Sequence, residues 1–190
     1  ITHIPGLSVM YPVTPYDVKG LFNMALESPQ PVVFFENKEL FADENIKMEI
    51  PKGHYTKQIG EPTKIMEGNS ITILAIGPVL YDVLEALKEK SLNGITGDVF
   101  SAGSIEPFNY EQILNSIEKT GKCLIIGHEN ERVSILKNYA YDIFSLAERN
   151  LKKAPSILGA YDSITSSYEN MGDFFPNISL IANKVMEICL

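Results

Sequence analysis

Three histidines and a scatter of acids are the side chains with chemistry to offer in this sequence. His128 and Glu129 adjoin within GHEN, directly after the apolar run CLIIG. That places them at the carboxyl end of an expected strand, where open α/β sheets hold their ligands. Two readings stand for the pair: a base or polar anchor facing a cleft, or a hydrogen-bonded histidine at a strand edge. His3, near the first residue, and His54, in a polar stretch, read as structural or solvated groups. Glu36 closes the aromatic strand PVVFFE, and an acid there is costly to bury without a partner. It is expected as a buried anchor or as a contact with another subunit. Asp43, Glu44 and Glu49 read as a solvated loop face. Tyr161, Tyr168, Phe174 and Phe175 read as core or loop packing, or as a partner surface.

Familiar catalytic signatures are missing from the string. There is no GxxxxGK[ST] phosphate loop, no GxGxxG after a strand, and no HExxH, CxxC or GxSxG. Cys123 and Cys189 lack metal-ligand spacing, and Cys123 reads as a small buried hydrophobe in a reducing, intracellular compartment. Residue chemistry alone therefore assigns no catalytic, cofactor-binding or metal residue. His128 and Glu129 remain as the candidate polar cleft residues.

The elements that must position them follow from periodicity. Residues 7–12 (LSVMYP) read as a short buried strand. Thr14 offers an N-cap, Pro15 a first helical position and Asp17 a first-turn acid, so a helix starts there. Val18, Leu21, Phe22 and Ala25 give it one apolar stripe, and Pro29 and Pro31 end it. Residues 31–37 (PVVFFEN) make a second strand. This βαβ unit is too small to bury its own faces.

From residue 38 to about 69 the chain turns polar and aperiodic, which predicts a linker. Beyond Ser70, strand and helix alternate. Strands are expected at 71–77, 95–102, 123–129 and 156–161. Helices are expected at 79–90, 110–119, 134–149 and from 177 to the end. Leu136, Tyr139, Ala140, Ile143 and Phe144 are expected inward on the third of these helices. Four βα repeats imply a parallel sheet between helical layers.

Composition narrows the partners. The formal net charge of −8 repels polyanions, so nucleic acid and anionic membrane are poor candidates. No apolar run reaches the roughly 18 residues of a membrane span, and no basic leader opens the chain. The sequence begins ITHIPG, without methionine, and enters strand-like residues at once, as expected of a piece of a longer chain.

The opening residues carry a resemblance. HIPGLSVMYPVTPYDVKGL (3–21) resembles the segment HIPG-x-x-V-x-x-P-x-x-P-x-D-x-K-G-L of thiamine-diphosphate-dependent 2-oxoacid (pyruvate or branched-chain) dehydrogenase β subunits. PVVFFENKELF (31–41) is similar to the same family's PVVFFE-x-K-x-L. The likeness continues through residues 50–55, Gly60 and EGNSITILAIGPVLYDVLEA (67–86). It returns at Pro107, SIEKTGKCLIIGHE (116–129) and FPN (175–177).

The resemblance implies an α/β fold: a three-layer αβα sandwich with a mostly parallel sheet, of the transketolase C-terminal type, over residues 70–190. It implies that residues 1–40 are the last portion of a pyrimidine-binding domain, with 41–69 as linker. It also implies oxidative decarboxylation of a 2-oxoacid with acyl transfer to lipoamide, achieved only in a complete assembly. Thiamine diphosphate and magnesium would belong to that assembly, with none expected on this chain. The implied partners are an α subunit or fused diphosphate-binding domain, a second β-like copy, and the lipoyl acyltransferase core. The implied setting is cytoplasm, or mitochondrial matrix in a eukaryote. Deoxyxylulose-phosphate synthase, transketolase and a non-catalytic assembly module share the architecture and stay open.

Departures matter too. The family's potassium-binding Asp/Asn positions match Ala25, Leu26, Ser28 and Gln30 here. Its DLRTLxP becomes SAGSIEP (101–107), losing Asp and Arg. Its glycine-rich turn after His128 and Glu129 becomes Asn130, Glu131, Arg132 and Val133.

Overall fold

In the computed structural model, which describes residues 1–162, 164 and 174–190, the first helix begins where its sequence implies. Thr14 Oγ1 accepts the N–H of Asp17 at 3.1 Å, with Pro15 in the first turn. In chain order the elements are β1 (Ser8–Met10), α1 (Pro15–Glu27), β2 (Val32–Phe34), β3 (Thr63–Met66) and β4 (Ile71–Ile76). There follow α2 (Val79–Ala86), β5 (Gly97–Ser101), β6 (Ser104–Glu106) and α3 (Glu111–Thr120). The chain finishes with β7 (Cys123–Asn130), α4 (Ile135–Ala147), β8 (Ser156–Ala160) and α5 (Ile178–Cys189). They fall into two units, Ile1–Thr63 with Ser101–Asn109, and Lys64–Phe100 with Tyr110–Leu190.

The first unit holds a three-stranded sheet in the order β2-β1-β6. β1 and β2 pair in parallel, with Ser8 opposite Val32 and Met10 opposite Phe34, as the βαβ reading requires. β6 pairs antiparallel on the other side of β1. Three residues are too few to show a period, so that strand left no signal in the sequence.

One boundary between the units, Thr63/Lys64, falls inside the expected linker at 41–69, but part of that stretch is ordered against the first helix. Residues 51–57 are laced to α1. Lys19 Nζ donates to Pro51 O at 2.5 Å and to Gly53 O at 2.9 Å, and Asn23 Nδ2 donates to Tyr55 O at 2.8 Å. The Tyr55 ring stacks on Tyr16 with centroids 4.9 Å apart. Lys57 N donates to Gly20 O at 3.1 Å. A Cβ at Gly20 would stand 2.9 Å from Tyr55 Cε2 and 3.0 Å from Lys57 Cβ. A mid-helix glycine costs about 1 kcal/mol against alanine. Here it lets a second segment lie against the helix. Order of this kind comes from side chains of α1 and leaves no periodicity in residues 51–57 themselves.

The second unit is the expected α/β layer structure, with strand order β3-β5-β4-β7-β8. β4, β7 and β8 run parallel, Ile73 opposite Leu124 and Ile125 opposite Ile157. Every residue of β4 is buried, which is what a strand covered on both faces demands. The helices form two pairs, α2 with α5 and α3 with α4, that sandwich the sheet. Gly121 ends α3 in the left-handed region at φ 68°, its N–H bonded to Ile117 O. Leu136, Tyr139 and Ile143 of α4 are buried, but Phe144 is 39% exposed, a correction to its expected inward place. It sits one position off the buried stripe. Phe22 of α1 is likewise exposed. Among the described residues, no helix is long and apolar enough to cross a membrane.

Candidate functional site

His128 and Glu129 stand where the pairing of β7 with β8 breaks. Ile126 faces Leu158 and Asn130 faces Ala160, so four steps on β7 oppose two on β8. Residues 127–129 thus oppose the single Gly159 and bulge at the carboxyl edge of the sheet, and bulges re-aim side chains. The His128 ring meets the Phe175 ring at 4.8 Å between centroids. The Glu129 carboxylate folds back over Gly127, where any Cβ would collide with its Oε2. Oε2 is buried and, among the described residues, finds no hydrogen-bond partner. Burial pushes the Glu129 carboxyl above its ordinary value, against a smaller lowering pull from a backbone hydrogen bond. A carboxyl held this way is suited to carry a proton nearer neutrality than an exposed one.

The residues that replace a glycine-rich turn are stitched to the end of β8. Asn130 Nδ2 donates to Tyr161 O and Asp162 Oδ1, each at 3.1 Å, while its Oδ1 accepts Arg132 N at 2.8 Å. Arg132 pairs with Asp162 at 3.2 Å, and Glu131 Oε1 accepts Gly159 N at 2.9 Å. A cavity of about 330 Å³ opens beside them, bounded by Arg132, Lys137, Tyr161, Asp162, Phe175 and Leu180. His128 and Glu129 do not line it. The two expected residues thus sit side by side in the bulge, and neither lines the adjoining cavity. Phe174 and Phe175 contact each other edge to face at 5.8 Å. Tyr161 is 59% exposed, and Tyr168 lies outside the described residues.

The remaining candidates scatter. His3 is exposed, and His54 pairs with Glu27 at 2.9 Å on the surface. Glu36 is exposed at the rim of an apolar cavity of about 210 Å³ lined by Val13, Phe34 and Leu40. That corrects the buried anchor: β2 ends at Phe34, so Glu36 already lies past the sheet. Glu44 and Glu49 are exposed and Asp43 half-buried. Cys123 is buried and its thiol is pushed up to about 12 by burial, which makes it an inert core group.

Sequence reasoning missed two buried acids. Asp17 of α1 is fully buried, its Oδ1 accepting from Lys57 Nζ at 2.8 Å and Thr63 Oγ1 at 2.7 Å. Asp98 of β5 is fully buried between two lysines. An acid inside the apolar run of a strand, as in GDVF, was the available signal. Among the described residues, no three His, Cys, Asp or Glu gather closely enough to hold a metal ion.

Comparison with known proteins places these features. Residues 60–175 match the family model "Transketolase, C-terminal domain", and residues 1–43 match "Transketolase, pyrimidine binding domain". The chain is 36% identical over 164 residues to the pyruvate dehydrogenase E1 component subunit beta of Mycoplasma genitalium, covering 85% of this chain and 49% of that one. It is 39% identical over 139 residues to the acetoin:2,6-dichlorophenolindophenol oxidoreductase subunit beta of Bacillus subtilis, covering 73% and 40%. A solved structure described as a split gene transketolase, inactive beta4 tetramer, superposes with a TM-score of 0.75 at 19% identity, covering 99% of this chain and 59% of that one. The chain spans about half the length of the curated relatives it matches.

Proposed function

We propose a role from a plain premise: the chain belongs to the transketolase C-terminal-domain family. It serves as the distal part of a β subunit in a 2-oxoacid dehydrogenase decarboxylating component. Residues 1–40 are the end of a pyrimidine-binding domain, and the unit from Lys64 supplies interface to the assembly. The observation that carries this reading is the tandem order of two matches, pyrimidine-binding then C-terminal, in a chain similar to β subunits acting on pyruvate and acetoin. The work done is oxidative decarboxylation, with the acyl group passed to lipoamide.

The family depends on thiamine diphosphate. Three acids keep a buried oxygen without a hydrogen bond, Asp17 in the first unit and Asp98 and Glu129 in the second, and no metal-holding cluster forms among the described residues. On the described residues no contact to the cofactor or its magnesium is assigned. The partners are an α subunit or fused diphosphate-binding domain, a second copy of this chain, and the acyltransferase core. The compartment is cytoplasm, or matrix in a eukaryote.

The test is purification of the tagged chain from its own cells. We expect it to bring down an α-type subunit and thiamine-diphosphate-dependent reduction of ferricyanide driven by pyruvate or another 2-oxoacid. Recovery of the chain with copies of itself alone and without that activity would establish an assembly module instead. Turnover of ketose phosphates in place of 2-oxoacids would make it a transketolase.

A further inference from the structure

A second polar cavity, of about 260 Å³, lies wholly within the second unit and takes no part in the role above. Its floor is Asp98, with Lys64 of β3 and Lys119 of α3 on either side and Gln112 and Asn115 on the rim. Lys64 Nζ reaches Asp98 Oδ1 at 3.2 Å and Oδ2 at 3.3 Å, and Lys119 Nζ reaches Oδ2 at 3.2 Å. Ser116 Oγ donates to Oδ2 at 2.6 Å and is itself bonded to Thr72 Oγ1 at 2.7 Å, which holds the carboxylate from beneath. Burial would raise the Asp98 pKa, but Ser116, Lys119 and Lys64 outweigh it and hold the carboxyl below its ordinary value. Asp98 is therefore ionised, and one negative charge faces two positive ones.

A clamp for one buried carboxylate needs a single lysine. The second leaves a surplus positive charge over the opening, in a chain whose net charge is −8. The two ammonium groups remain partly open to solvent, their side chains 42% and 36% exposed, whereas Asp98 is 0% exposed. Each ammonium has three N–H donors, so both keep donors beyond those spent on Asp98. Lys64 is also steered by the Phe100 ring, 5.2 Å from its Nζ. Gln112, Asn115, Ser116 and Lys119 share one face of α3 by their i, i+3, i+4, i+7 spacing. The Asn115 carboxamide adds a neutral donor at the rim. The cavity is smaller than the roughly 300–1,000 Å³ typical of cofactor pockets, which suits a few-atom ligand and not a nucleotide.

We propose that this cavity binds a small oxyanion, a carboxylate or phosphate group, gripped between Lys64 and Lys119 with Asp98 holding the two ammonium groups in place. The full chain should be titrated with inorganic phosphate and, separately, acetate, at ionic strength held constant with sodium chloride. Thermal unfolding should show a saturable rise in Tm with at least one of the two, and the tighter arm names the ligand class. Lys64→Met and Lys119→Met should each weaken half-saturation about tenfold, as expected for one charge-assisted hydrogen bond. Lys90→Met, at an exposed turn, should leave it unchanged. Should either variant unfold, the side-chain amide resonances of Gln112 and Asn115 in the unaltered protein provide the second readout and must move along the same saturation curve. No saturable effect beyond that of chloride, or an effect that survives in both lysine variants, would overturn the proposal.

Discussion

Lys57→Met tests whether the first unit is held by its buried ion pair. The Asp17 side chain is fully buried and Lys57 is 12% exposed, so the pair is almost out of water. Removing one member of such a pair costs about 3–5 kcal/mol, because the other is left charged and buried. Asp17 would keep the Thr63 hydroxyl at 2.7 Å, a bond to a charged group that retains about 1.5–3 kcal/mol. The expected loss therefore falls at the low end, about 3 kcal/mol. The double variant Asp17→Leu/Lys57→Met removes both charges and should recover most of that loss. It still forfeits the first-turn acid of α1, worth about 0.3–1 kcal/mol against the helix dipole. With two units in the chain, one unfolding free energy is not well defined. Hydrogen exchange of the α1 amides isolates the right one. A loss below about 1 kcal/mol for Lys57→Met, or a double variant as costly as the two singles added, refutes the reasoning.

Two further outcomes follow from the bulge. Glu129 has a raised folded pKa, so the stability it contributes is full below the ordinary glutamate value and drains away as pH rises through the raised one. Glu129→Gln should therefore unfold at a higher Tm than the parent at neutral pH, with the gain vanishing in acid. A gain that persists unchanged below the ordinary glutamate value would show that burial of the charge is not the cause. Gly159→Ala should cost about 2–3 kcal/mol in urea unfolding, since its Cβ would strike the backbone oxygen of Glu129. Gly127→Ala meets side-chain atoms alone, the end of the flexible Glu129 side chain and Leu136 Cδ2 at 3.2 Å, and should cost less than about 1 kcal/mol, and the reverse ranking would place the collision elsewhere.

What was legible in the sequence was what repeats. β4 is apolar at nearly every position because both faces are covered, and α5 carries Ile181, Val185 and Ile188 at helical spacing, so both could be placed from one string. What stayed hidden depends on pairs far apart in sequence. Asp17 is 40 residues from Lys57, and Asp98 is 34 from Lys64. Each acid alone looks like a helix-start residue or a strand-edge charge. The same holds for residues 51–57, whose order is set by Lys19, Asn23 and Gly20 on α1. His128 and Glu129 show the limit most clearly. Their position at the end of a strand was readable, and so was the cleft that such strand ends form. Their direction was not, because it is fixed by a slip in pairing with β8, in which Gly127 and Gly159 make the room. Bulges arise from the partner strand as much as from their own residues. A charged or aromatic side chain at a strand end is therefore a statement about place, and only the register of the neighbouring strand turns it into a statement about what that side chain can touch.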